Sequence, residues 1–206
     1  MNVDHIHWLG HASFRIEDQG KQIYIDPWKL KTGKPKADLI FITHSHYDHH
    51  SIEDIRKITH KNTLIVGPAD VMQEHKNQGY TVTPGDTKTI AGLSFVVLPA
   101  YNLNKSFHPK SKNWVGYNIM LTNGQTIYHP GDTDFIPEMK SIKTDIFLPP
   151  VGGTYTMDAV DAATACSTIK PQVVIPMHWG DIVGVRSDVD LLEALITVRV
   201  EIKEPE

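Results

Sequence analysis

Thr43-His44-Ser45-His46-Tyr47-Asp48-His49-His50 is the stretch that decides the reading. It follows the apolar run Leu39-Ile40-Phe41-Ile42. An apolar run with turn-like polar residues behind it reads as a buried strand ending in a loop. Four imidazoles and a carboxylate on one loop are costly to bring together unless a cation organises them. Alternate residues of an extended segment point one way and can converge on one ion. Neutral imidazole and carboxylate suit zinc, iron or manganese. The rival reading, a polar surface loop that happens to be rich in histidine, leaves the His-x-His-x-Asp-His spacing unexplained.

The 206 residues are 40% hydrophobic and 21% charged, which fits one globular domain over 1–206 with a sizeable core. The formal net charge of -4, with no basic stripe, argues against a nucleic-acid partner. No apolar stretch is long enough to span a bilayer. Met1-Asn2-Val3-Asp4-His5 is no secretory signal, because it lacks a basic segment followed by an apolar one. The single cysteine, Cys166, excludes an internal disulfide. Cytoplasmic residence is therefore expected. Cys166 lies in a helix-like stretch and reads as a buried small hydrophobe, not a nucleophile.

Working outward, short strand-like runs alternate with turn signals. His5 to Ile16 and Gln22 to Ile25 read as a hairpin around Asp18-Gln19-Gly20, closed by Asp26-Pro27-Trp28. Ser51 caps a helix whose apolar face is Ile52, Ile55 and Ile58. After a strand from Thr63 to Val66, Pro68 opens a second helix expected to end near Gly79. Strands are expected at Lys88 to Ile90 and Leu93 to Leu98. Asn123-Gly124 marks a hairpin between Val115–Leu121 and Thr126–His129. Ile146 to Leu148 and Val173 to Ile175 read as buried strands. Between them lies a helix from Thr156 to Ile169, capped by Thr156 and stopped by Pro171. A helix from Ser187 to Leu195 and a strand from Val198 to Ile202 complete the pattern. Strands followed by helices, twice over, imply two sheets packed face to face with helices outside.

Three later features share one layout, a polar residue at the end of an apolar strand. They are Asp132 in His129-Pro130-Gly131-Asp132-Thr133, His178 in Pro176-Met177-His178, and Tyr101-Asn102 after Leu98-Pro99-Ala100, with His108 further along that loop. Taken singly, Asp132 reads as a turn residue and His178 as a core histidine. Together with the first loop they can converge on one edge of the sandwich. His44, His46, Asp48, His49, Asp132 and His178 offer enough donors for two divalent ions sharing Asp132 and a hydroxide. Two ions about 3.5–4 Å apart form the usual hydrolytic clamp.

Trp8-Leu9-Gly10-His11-Ala12-Ser13-Phe14, Ile25-Asp26-Pro27-Trp28, Thr43 to His49, Gly131-Asp132-Thr133 and Pro176-Met177-His178 together resemble the metallo-β-lactamase superfamily. The Gly-His-Ala-Ser-Phe opening, the Asp-Pro-Trp turn and Gly152-Gly153-Thr154-Tyr155-Thr156-Met157 are similar to the branch containing ascorbate-6-phosphate lactonase and N-acylphosphatidylethanolamine phospholipase D. The resemblance implies a four-layer αβ/βα sandwich of two mixed sheets with helices on the outer faces. It also implies a metal-dependent hydrolase with a dinuclear site. His44 and His46 would bind the first ion, Asp48, His49 and His178 the second, and Asp132 would bridge. The branch commonly carries a further His where this chain has Tyr101-Asn102. Either His108 reaches back from the loop, or the first ion makes do with His44, His46, Asp132 and solvent. His11, Asn102 and His108 are candidates to support the ligands or touch substrate. His129 is expected to point away from the ions.

The implied chemistry is hydrolysis of a small ester, lactone or phosphoester by a hydroxide bound to two ions, zinc first, manganese or iron otherwise. Asp48 and Asp132 are the catalytic carboxylates. Asp48 orients the nucleophile or takes its proton. Lys105 and Lys110 would supply positive charge to a phosphorylated substrate. The alternatives are a phosphodiesterase, either phospholipase D-like or a nuclease, and a non-catalytic metal-binding protein. Substrate identity and homo-oligomer formation stay open; Trp28, Trp114 and Trp179 read as core residues, with the site mouth or a subunit contact as the other options.

Overall fold

Period-two alternation builds the layers. In the computed structural model, which describes residues 1–76 and 78–206, thirteen strands form two mixed sheets. The first sheet runs in chain order through β1 (Ile6–Gly10), β2 (Ser13–Asp18), β3 (Lys21–Ile25), β4 (Leu39–Phe41), β5 (Leu64–Gly67) and β6 (Gly79–Thr81). Its first three strands pair antiparallel and the rest parallel. The second sheet contains β7 (Thr87–Ile90), β8 (Leu93–Pro99), β9 (Val115–Met120), β10 (Thr126–His129), β11 (Ile146–Phe147), β12 (Val173–Val174) and β13 (Arg199–Val200). There an antiparallel meander from β7 to β10 passes into parallel pairing from β10 to β13.

Leu39 and Phe41 of β4 face the core between the sheets, and Ile40 faces outward under the helices. Ile127, Ile146 and Val173 face the same inter-sheet core, while their neighbours Tyr128, Phe147 and Val174 face out. Because these central strands are apolar on both sides, each sheet needs a second cover. Helices α1 (Ile52–Ile58) and α2 (Ala69–Met72) cover the first, burying Ile55, Ile58, Val71 and Met72. Helices α3 (Ala159–Ile169) and α4 (Arg186–Leu195) cover the second with Ala162, Cys166, Val189 and Leu192. The result is the helix–sheet–sheet–helix sandwich expected from the sequence.

Three local expectations are corrected. The strand expected from His5 to Ile16 is broken at His11, which takes φ 50° and reverses the chain into β2. The helix expected to run from Pro68 to near Gly79 stops at Met72, because the chain must turn back for β6 to pair with β5. The helix expected from Thr156 starts at Ala159. Asp158, not Thr156, accepts the backbone N–H groups of Val160 and Asp161, and Thr156 is buried. The strand β6, short and largely exposed at the sheet edge, had no counterpart among the expected elements.

The sheets are also tied by polar links. The Tyr117 hydroxyl donates to Ile42 O at 2.7 Å, and Val115 N donates to Thr43 O at 3.1 Å. His178 N donates to His11 O at 2.9 Å. These links sit at the edge where the loops after β4, β8, β10 and β12 meet.

Candidate metal centre

The loop after β4 curls on itself, with His49 N and His50 N both donating to His46 O. Asp26, fully buried and at φ 46°, organises its base. Asp26 accepts from Thr43 N at 2.8 Å, from Thr43 Oγ1 at 2.6 Å and from His49 Nδ1 at 2.7 Å. The single Thr43 hydroxyl proton goes to that carboxylate. Its oxygen, 2.9 Å from His44 Nδ1, therefore accepts the imidazole N–H and leaves His44 Nε2 bare. His44 Nε2 lies 3.1 Å from His46 Nδ1.

The second sheet supplies the opposite wall. Gly131 takes φ +66°, and a Cβ there would stand 2.9 Å from Val115 O. This tight turn after β10 delivers Asp132. His178, at φ 62° after β12, places Nε2 3.1 Å from Asp132 Oδ2. His108 reaches back from its loop, its Nε2 3.3 Å from Asp132 Oδ2. Asn102 fixes its orientation. The Asn102 amide donates to Asp134 at 3.1 Å and to Tyr155 O at 2.9 Å, so its oxygen faces His108 Nδ1 at 3.0 Å and accepts the proton there. His49 Nε2 approaches Asp132 Oδ1 at 3.3 Å and Asp48 Oδ2 at 3.7 Å. His11 Nε2 lies 3.1 Å from Asp48 Oδ2.

Among the described residues three groups of potential ligand atoms result: His44–His46–His108 and His11–Asp48–His49–His178, with Asp132 between them, and Asp26–His44–His49 behind them. His108 thus joins the two histidines that the sequence assigned to the first ion. Asn102 does not face the centre but holds His108. Lys105 and Lys110 do not reach it either. Lys105 donates to Asp134 at 2.6 Å and to Thr156 O, and Lys110 pairs with Glu138 at 2.9 Å. His129 points away and meets Ala12 O at 2.9 Å. Trp114 and Trp28 pack edgewise or tilted against His44, His46 and His11. The positioning roles of Asp26 and Thr43 were not assigned from the sequence. The only trace of them was Asp26-Pro27-Trp28 itself.

The electrostatics divide the imidazoles. Burial holds His44 well below the usual histidine range and lowers His46 and His11. Neutral imidazole is the form that ligates. Burial also opposes charge on His49, but the carboxylates of Asp132 and Asp26 outweigh it and raise its pKa well above normal. Burial likewise disfavours the Asp132 carboxylate, yet the neighbouring imidazoles of His178, His49 and His108 hold its pKa well below the usual carboxylate range. Asp48 is lowered too, against burial, by its bond with His11.

A family model described as the beta-lactamase superfamily domain matches residues 5–178, which carry this whole constellation. The chain belongs to the beta-lactamase superfamily. A UPF0173 metal-dependent hydrolase of Nitratidesulfovibrio vulgaris is 34% identical over 197 residues, covering 85% of this chain and 80% of its own. A second, from Thermoplasma acidophilum, is 33% identical over 203 residues, covering 91% and 88%. The crystal structure of a putative metal-dependent hydrolase from Parabacteroides distasonis superposes with a TM-score of 0.88 at 31% identity, over 98% of this chain and 93% of that one. This superfamily member is a metal-dependent hydrolase. Among its described residues, no helix is long and apolar enough to cross a membrane.

Proposed function

We propose that this centre holds two divalent ions and hydrolyses a small-molecule ester, lactone or phosphoester. One observation carries the reading. Of nine buried side-chain polar atoms without a hydrogen-bond partner among the described residues, five belong to this centre: His11 Nδ1, His49 Nε2, His108 Nε2, His178 Nδ1 and Asp132 Oδ1. Each such atom costs about 1–3 kcal/mol if nothing satisfies it. His49 Nε2 and His108 Nε2 approach different oxygens of Asp132, Oδ1 and Oδ2, each at 3.3 Å, so a cation on either side of that carboxylate is the economical partner. His44, His46 and His108 would hold one ion. Asp48, His49 and His178 would hold the other, with His11 beside them and Asp132 between. Zinc, manganese and iron all suit this donor set.

Bound there, the ions supply an activated water and an electrophile for the scissile group. The protein's own residues do the rest. Asp48, partly open to the pocket, holds a proton at Oδ2 during attack, and His11 fixes the orientation of that carboxylate. Asp26, Thr43 and Asn102 engage the Nδ1 side of His49, His44 and His108 and so aim each Nε2 inward. The reading of a non-catalytic binder drew its support from the missing histidine after Ala100, and the approach of His108 to Asp132 and to His44 and His46 favours the catalytic reading instead.

Elemental analysis of untagged protein purified without chelator tests this directly. About two equivalents of zinc, manganese or iron per chain are expected, falling in the Asp132→Ala variant together with hydrolysis. Full activity in Asp132→Ala, or no bound metal after metal is supplied, would overturn it.

A further inference from the structure

The mouth of the centre has a chemistry of its own. Its cavity measures about 240 Å³ and is lined by His46, Asp48, His108 and Asp132 below and by Tyr47, Phe107, Tyr155 and Ile182 above. The four upper side chains come from four separate loops, after β4, β8, β11 and β12. Tyr47 is 68% exposed, Phe107 45% and Ile182 36%. Phe107 meets Tyr155 edge to face at 4.7 Å, and Tyr47 stands edge-on to Trp28 at 6.0 Å. Single exposed apolar residues are ordinary, but a ring of them around a polar floor is the composition of a ligand site.

Cations are missing from this wall. None of the eight lining residues is Lys or Arg. The nearby lysines are already engaged. Lys105 is held by Asp134, Lys110 by Glu138, and Lys29 by Asp181 at 2.8 Å while lying over the Trp28 ring. A phosphate or carboxylate remote from the scissile bond would enter an apolar ring with no charged partner, which is costly. The volume falls below the roughly 300–1,000 Å³ of sites that take drug-sized ligands.

We propose that the substrate is a small uncharged carboxylic ester or lactone whose apolar group packs between Phe107, Tyr155, Tyr47 and Ile182, and not a phosphorylated compound. The proposal rests on the hydrolytic reading above and narrows it. In the reaction the water oxygen bonds to the acyl carbon and the acyl C–O bond breaks. One water proton goes to the leaving oxygen, giving the alcohol, and the other is released as the new carboxylic acid ionises.

A matched set of probes tests it on metal-loaded protein: p-nitrophenyl butyrate, its charged counterpart p-nitrophenyl hemisuccinate, and bis(p-nitrophenyl) phosphate. Butyrate should exceed both in kcat/KM by at least about tenfold, worth about 1.4 kcal/mol of discrimination. Phe107→Ala and Ile182→Ala, both exposed positions where folding is not at stake, should raise KM for butyrate and shrink its advantage over hemisuccinate. Equal or better turnover of hemisuccinate or the phosphodiester would overturn the substrate class while leaving the metal-dependent hydrolase intact. So would an advantage that neither substitution alters, or metal-loaded protein that cleaves no ester. Protein that binds no metal would remove the hydrolytic reading, and this proposal with it.

Discussion

Replacing Asp26 with Asn changes one atom and should disturb the centre from behind. Asp26 accepts three hydrogen bonds in a fully buried position, from Thr43 N, Thr43 Oγ1 and His49 Nδ1. An amide offers only one oxygen. If that oxygen takes the Oδ2 place, the new NH2 faces the Thr43 N–H. If it takes the Oδ1 place, the NH2 faces both His49 and the Thr43 hydroxyl. One or two bonds to a charged group are lost, each worth about 1.5–3 kcal/mol. A loss of about 1.5–6 kcal/mol follows, or about 3–24 °C in Tm for a chain of this size. The outward proton of His49 and, through Thr43, that of His44 are no longer fixed, so metal affinity should fall about 10–100-fold. Thermal unfolding with and without chelator, paired with a competitive metal titration, reads both effects. A Tm within about 2 °C of the parent and affinity within about twofold would refute the reasoning, since neither magnitude survives that result.

Asn102→Leu removes the acceptor for His108 Nδ1 but leaves the approaches of His11 and His49 to Asp48 and of His49 and His178 to Asp132, so it should weaken one ion selectively. Elemental analysis should show loss of about one equivalent, and retention of both would contradict the role of Asn102. Burial pushes the Cys166 thiol up to about 12. At pH 8 only about one thiol in ten thousand is thiolate, so iodoacetamide should spare the native protein and label it once unfolded; rapid native labelling would refute this. Glu206 is lowered to about 2 because Lys34, His7 and Arg15 outweigh its burial. Its folded pKa lies below the unfolded value, so its contribution is present above about pH 4.5 and lost as pH falls toward 2. Glu206→Gln should therefore lower Tm at pH 7, with the gap to the parent closing in acid; a gap independent of pH would be inconsistent with this.

The layers were legible because alternation and turn chemistry agree along most strands. The Leu39-Ile40-Phe41 run, apolar on both faces, marks a strand buried between two covers, and the Asn123-Gly124 turn fixes the register of β9 on β10. What escaped was set by tertiary contact. The reversal at His11 is carried by a non-glycine residue in the left-handed region, held by Trp8 Nε1 and His178 N donating to its carbonyl. No local propensity announces such a position. Helix α2 is cut short by the need of β6 to lie beside β5, a demand made by a neighbouring strand and not by residues 73 to 78. The His-x-His-x-Asp-His loop announced itself by spacing, and Asp132 and His178 by their place at strand ends. His108 was ambiguous because it lies nine residues beyond the end of β8 at Pro99, and the bonds between Asn102 and His108 show the loop folding back. Asp26 hid in plain sight, since nothing in its sequence neighbourhood distinguishes a turn aspartate from one buried behind two histidines.

The donors are divided between the two sheets: His11, His44, His46, Asp48 and His49 come from the first, His108, Asp132 and His178 from the second. A nascent chain that has finished only its first sheet carries five of these groups with no opposing wall. His178 lies in the loop after β12, behind every other candidate donor in order of synthesis. The ribosome must therefore release most of the polypeptide before a tight pocket for an ion can exist. A centre built from these candidate donors would therefore close only after the two sheets have met, and a chain that stalls before residue 178 would lack part of one wall.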